Sequence, residues 1–237
     1  MFFFLARVVI GKHLYWHFLD STIHGEVLLV TWNTFTLVWA LLSVVYIGRT
    51  RIKLIPHSFQ NFSEGIFEYL SNLIKNQISL FQYKLWTPYI GTIFLFILIA
   101  NWFGALLPWK LIRLIESEYA APTNDINTAL ALSLLTSISY FYTGIANFGI
   151  NFFIRYISPT PLFFPINLLE DCTKPLSLTF RLFGNILAEE IVLSVLCIFV
   201  PIVIPLPIML LGLFSASVQA LVFSTLSVTY LAESLEN

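Results

Sequence analysis

No Asp, Glu, Lys or Arg occurs between Ile191 and Ala232. A helix rises about 1.5 Å per residue and a bilayer core is ~30 Å thick, so about 20 apolar residues span it. This run can therefore cross twice. Pro201, Pro205 and Pro207 divide it, because proline lacks a backbone donor and clashes with the preceding turn. The expectation is two long helices joined by a tight hairpin. Val27–Gly48, Leu85–Trp109 and Ile126–Ile154 are also free of charge. Only 11% of the 237 residues are charged and 58% are hydrophobic, where a soluble domain is about 25% charged. Mean hydropathy is +0.84. The chain reads as an all-α polytopic membrane protein, one unit with no soluble domain. Its net charge of −1 implies neither nucleic acid nor an acidic partner. Cys172 and Cys197 both fall in apolar helices, which is not a disulfide framework. The start, MFFFLARVVIGKH, has the wrong order of charge and apolar run for a secretory signal.

Residues 1–26 form a polar, aromatic N-terminal segment. His13 and His17 have the i,i+4 spacing of a metal pair. No carboxylate or Cys completes such a site, and Tyr15 and Trp16 fit an interfacial belt better. Residues 27–48 are the first span. Arg49, Arg51, Lys53 and His57 follow at once, so this end faces the cytoplasm-equivalent side. Residues 61–83 carry an apolar stripe of Phe62, Ile66, Phe67, Leu70, Leu73, Ile74, Ile78 and Phe81 at helical spacing. Asn61 and Glu64 resemble a capping box. This reads as an amphipathic helix on the membrane surface, or one packed on a partner subunit; the two can hold together. Residues 85–109 and 126–150 form a two-helix hairpin of spans, joined by the charged loop Lys110–Asp125 on the opposite side. The second of them is rich in Ser, Thr and Asn, which glue helices or line a wet path. Residues 162–200 and 206–235 are the two long, tilted C-terminal helices.

Twelve Lys and Arg with thirteen Asp and Glu make 25 charges, and six of these lie in Leu169–Ile191. Each charge at a bilayer centre costs about 2.5–3.5 kcal/mol, so such residues need a reason to be there. Steps of three or four place Glu170, Lys174, Ser177, Arg181, Asn185 and Glu189 along one drifting stripe. Glu190 lies about 180° round the helix from Arg181. One helix then presents a cation on one face and a carboxylate on the other. Two readings stay open: a functional site, or a buried ion pair that orients helices. Gln219 is a lone amide in an apolar setting, which as packing is an interhelical hydrogen bond.

The motif KPLSLTFRLFGNILAEE at Lys174–Glu190 resembles the signature of subunit a, the stator channel of rotary F-type ATP synthases. APTNDIN at Ala121–Asn127, PYIGTIFLFILIANWFGALLPW at Pro88–Trp109 and GLFSASVQALVFSTL at Gly212–Leu226 are similar to the same family in its plastid and cyanobacterial branch. The resemblance implies a proton path facing a ring of small c subunits, with b-type peripheral-stalk subunits as further partners beside membrane lipid. It makes Arg181 the essential arginine, Asn185 the asparagine of the RLFGN motif and Glu190 the channel carboxylate. Gln219 becomes a partner of Arg181. Glu170 and Gln219 match polar positions near the ring or channel. Gly212 facing Glu190 is the plastid arrangement, where many bacterial relatives have histidine facing glycine. Glu189, Glu190 and Glu233, with Asp125, Asn127 and Ser/Thr groups, are the candidates for aqueous half-channels. The location implied is a plastid thylakoid membrane, N-terminus lumenal and C-terminus stromal.

Other classes fit less well. A secondary transporter needs an inverted repeat and broken helices at the midplane, and no repeat is visible. A haem- or quinone-binding subunit needs paired histidines inside spans, yet His13, His17, His24 and His57 all lie outside them. A structural anchor has no need of Arg181 in the bilayer. No phosphate loop, metal motif or nucleophile–base pair occurs, so no cofactor is implied, and catalysis belongs to other subunits of the complex.

Overall fold

Two aromatic, β-branched tetrapeptides open the described chain. Tyr15–Phe18 (β1) and Ser21–His24 (β2) pair antiparallel, with Tyr15 opposite His24 and Phe18 opposite Ser21. Among the described residues this hairpin is the departure from the expected all-α chain. Trp16, Phe18, Thr22 and Ile23 suit a pleated surface, and a two-residue connection suits a hairpin. His17 on a strand loses the helical spacing on which a His13–His17 pair depends; His13 lies outside the described residues. The computed structural model describes residues 15–18, 21–24, 31–32, 34–39, 58–78, 82–106, 121–156, 161–199 and 205–236. Of the expected first span, residues 31–32 and 34–39 are helical. The rest of that span, the Arg49–His57 cluster and the loop at Lys110–Ala120 lie outside the described residues.

Five long helices follow among the described residues. Helix α1 is Ser58–Lys75, α2 is Tyr83–Leu106, α3 is Ile126–Phe148, α4 is Phe164–Phe199 and α5 is Pro205–Glu236. Short 3-10 helices cover Pro122–Asn124, Gly149–Tyr156 and Pro161–Phe163. Pro205 and Pro207 fall in the first turn of α5, where the missing donor costs nothing. Among the described residues three stretches are long and apolar enough to cross a membrane: Tyr83–Trp102, Ile126–Tyr156 and Pro205–Leu235. Helix α4 carries Glu170, Asp171, Lys174, Arg181, Glu189 and Glu190 along its length. At 36 and 32 residues, α4 and α5 run about 54 and 48 Å, well beyond a 30 Å core.

The apolar stripe of α1 turns inward. Leu70 joins Ile93, Phe94, Ile97, Ala129, Leu178, Leu182, Ala220 and Phe223 in a core that draws on all five helices. Ile74 and Ile78 pack with Trp86, Ile90, Val228 and Leu231. So α1 is covered by α2 and α5 of its own chain, while Phe67 and Tyr69 stay exposed. Small hydroxyl residues let α3 approach α4. Ser133 and Thr179 are buried and their hydroxyls lie 2.6 Å apart. Thr136, Thr143 and Ser139 return their hydroxyls to carbonyls of the preceding turn, so these three hydroxyls are paired within the helix.

Candidate functional site

Arg181 lies mid-way along α4, beside Leu182 and three residues after Leu178, both fully buried. Those two leucines fix which face of α4 meets the core. Arg181 lies on the flank of that face, about 60° round the helix from Leu178 and about 100° from Leu182, and is exposed. Phe180, Leu176, Ile191 and Val192 are exposed with it, so the cation stands on an apolar outer face. Among the described residues its guanidinium makes no hydrogen bond and no ion pair. One turn on, Asn185 donates from Nδ2 to Gln219 Oε1 of α5 at 2.7 Å. Gln219 is therefore paired with Asn185 and not with Arg181, which was its expected partner. A turn of helix separates the two positions, and the shorter amide side chain at Asn185 reaches across the α4–α5 seam. Gln219 Nε2 is buried without a partner.

Glu189 and Glu190 turn to different neighbours. Gly212 on α5 lies against Glu189: a Cβ added there would overlap its carboxylate. The expected Gly212–Glu190 facing pair is thus corrected to Gly212–Glu189. Successive residues diverge by about 100° on a helix, and Glu190 is carried round toward the 3-10 turn before α3. There its Oε2 accepts a hydrogen bond from Asn124 Nδ2. Behind that contact, Thr123 donates to Asn101 Oδ1 of α2 at 2.6 Å, and both residues are buried. Asn101 Nδ2 and Asn124 Oδ1 are buried with no partner. Buried polar atoms left unpaired are costly in a protein interior, and water is their usual partner. Polar side chains thus run from α2 through the turn to Glu190.

Asp125 and Asn127 sit at the start of α3. Asp125 caps that helix, accepting from Asn127 N at 3.0 Å and from Asn127 Nδ2 at 3.1 Å. Such a cap satisfies a donor that the helix itself leaves free. Glu170 is exposed near the other end of α4, and its carboxylate has no partner among the described residues.

Glu233 stands apart from Glu190. It belongs to a four-charge cluster at the opposite end of α4. Lys174 Nζ lies 2.7 Å from Glu233 and 3.0 Å from Asp171; Arg155 lies 3.0 Å from Asp171 and 3.4 Å from Glu233. Tyr140 and Tyr156 both donate to the Asp171 carboxylate, and Arg155 donates to the Tyr140 hydroxyl. The Arg155 guanidinium lies over the rings of Tyr140, Phe152 and Tyr156, and Lys174 over Tyr140 and Tyr230. Sequence reasoning placed Lys174 and Asp171 in the charged stretch but missed Arg155 and the two tyrosines. Their only sequence signal is a basic residue in an aromatic run, Phe152–Tyr156, directly after an apolar span.

Along α4 the order is then fixed: ionic cluster, Arg181, acidic pair. Lys174 and Glu190 are separated by 16 helical residues, about 24 Å. No group of His, Cys, Asp and Glu able to hold a metal occurs among the described residues. The arrangement offers carboxylates among polar side chains on one side of a permanent cation. Residues 28–232 match the family model of the ATP synthase A chain, and the chain belongs to that family.

Proposed function

We propose that Arg181 is the gate of a two-part proton path, and that this path drives a rotating partner. Family membership makes the chain a membrane-sector subunit of an F-type ATP synthase. It is non-catalytic in itself, passes protons, and associates with the c-ring and the rest of the complex. The observation that carries the finer reading is the unpaired Arg181 cation on the apolar outer face of α4. Arginine stays protonated at any relevant pH. A cation that serves only packing is expected to have a carboxylate partner within the chain. Arg181 has none among the described residues, and in this reading its partner comes from outside.

The chemistry follows from elementary electrostatics. A carboxylate on a ring subunit enters lipid cheaply when protonated and dearly when charged. Beside Arg181 its charged form is favoured, so it releases its proton there. The same fixed charge repels a free proton that would cross without moving the ring. Glu190 and Glu189, with Asn124, Asn101, Asp125 and Asn127, form one half-channel in this reading. Glu233 and Glu170, at the other end of α4, mark the second. Asn185 and Gln219 hold the seam between them. The transmembrane potential supplies about 2.3 kcal/mol per charge per 100 mV.

The motifs further support a plastid-type chain in a thylakoid membrane, with stromal C-terminus and b-type stalk subunits as neighbours. The test is substitution of Arg181 in the assembled complex. Arg181→Ala and Arg181→Lys are expected to assemble and to make no ATP from a proton gradient. Lysine loses its proton when desolvated and lacks the planar fork that meets a carboxylate. Synthesis near the wild-type rate in either variant returns Arg181 to a packing role.

A further inference from the structure

The ionic cluster of Arg155, Asp171, Lys174 and Glu233 has no duty in the path just described apart from the exposed edge of Glu233. It joins three parts of the fold. Lys174 and Asp171 come from α4, Glu233 from α5, and Arg155 from the 3-10 segment that folds back on α3. That segment is seated by Phe152, whose ring covers Gly144 so closely that no side chain fits at 144. Its position is therefore fixed by α3.

Lys174 and Arg181 are seven residues apart, two turns of α4, and share a face at about 10 Å separation. One turn past Arg181 is the Asn185–Gln219 bond. Arg181 thus sits on a length of α4 tied to α5 on both sides, while its own side chain is bonded to nothing among the described residues. Between these two ties the buried residues of the seam, Leu178, Leu182, Ala220 and Phe223, are apolar. Such a seam in lipid resists sliding weakly, because both helix and lipid are apolar. Charge pairs resist it strongly, because separating them strands a desolvated charge.

We propose that this cluster is a clamp that positions Arg181. It fixes the height and rotation of α4 against α3 and α5 while a moving partner pulls on the exposed guanidinium. Lys174 and Asp171 are positioning residues, and they act through Arg181. The proposal rests on the gate reading of Arg181.

The test uses the whole ATP synthase in sealed vesicles. Three quantities are read: the amount of assembled complex, ATP synthesis per assembled complex, and protons passed per ATP. Lys174→Met keeps the stem and removes the charge. It is expected to assemble, to lose synthesis severalfold per complex, and to pass more protons per ATP. Lys174→Arg is expected to restore both. A cluster that serves only folding would lower the amount assembled and leave protons per ATP unchanged. Should Lys174→Met fail to assemble, Asp171→Asn with Lys174→Met removes one charge of each sign and leaves Arg155 facing Glu233. The same loss of coupling is expected there. Wild-type coupling in an assembled variant, equal loss in Lys174→Arg, or failure of both variants to assemble overturns the clamp. Arg181→Ala is run beside them. If it makes ATP normally, the gate falls and the clamp with it. If it makes none while Lys174→Met couples normally, the clamp alone falls.

Discussion

Glu189 and Glu190 differ by one position and face different helices, and substitution at Gly212 separates them. A side chain at 212 takes the space of the Glu189 carboxylate, whereas Glu190 is held on the far side by Asn124. Overpacking of this kind costs about 1–3 kcal/mol and moves the weaker neighbour. Gly212→His is therefore expected to impair ATP-driven proton pumping. Adding Glu189→Gly is expected to recover part of it, since space and a titratable group are both restored at one crossing. Adding Glu190→Gly is expected to recover none. Pumping assays on the three variants decide it, and recovery with Glu190→Gly alone contradicts the Glu189 contact. The sequence made this site partly legible. Charges inside an apolar run announce themselves, so Arg181, Glu189 and Glu190 stand out without any structure. Which of two adjacent glutamates meets Gly212 depends on helix rotation across a seam, and no spacing rule reaches that far. Gln219 shows the same limit, since a lone amide is visible in the sequence while its choice of Asn185 over Arg181 is not.

At the scale of elements, periodicity carries the helices and fails at their neighbours. The stripe in α1 is plain in the sequence. That it is covered by α2 and α5, with Phe67 left outside, follows from packing across distant segments. The eight residues Gly149–Tyr156 form a 3-10 segment that periodicity does not reveal, because they match neither a span nor a surface helix. Its anchor is the Phe152 ring on Gly144. Gly144→Val is expected to displace that ring and cost about 1–3 kcal/mol by overpacking. Arg155 would be drawn away from Asp171 in the same movement. The thermal unfolding midpoint of the assembled complex checks this, and an unchanged midpoint means that Phe152 does not depend on Gly144 for its seat. The hairpin Tyr15–His24 escaped notice for a different reason. Its strands are four residues each, too short for alternation to stand out among aromatic residues that also suit a membrane interface.

Over the whole molecule, run lengths and charge fix the membrane class, and the long α4 and α5 follow from the charge-free run and its prolines. Topology is a prediction at this scale. The basic residues at Arg49, Arg51 and Lys53 and the acidic loop with Glu116 and Glu118 are expected on opposite sides of the membrane. Lys53→Cys and Glu116→Cys, each in sealed vesicles with an impermeant thiol reagent, are expected to label from opposite sides; labelling from one side contradicts the arrangement. Helix α4 gives the central claim its geometry. It buries Leu178 and Leu182 and leaves Arg181 outward among exposed apolar side chains, the placement on which the proposed gate rests. The most direct measurement is a map of this chain within the assembled ATP synthase at side-chain resolution. The expected result is Arg181 facing a ring of helices, its guanidinium level with a carboxylate on the nearest one. Arg181 pointing into lipid or against a peripheral-stalk helix, with no ring carboxylate at its height, would contradict the account.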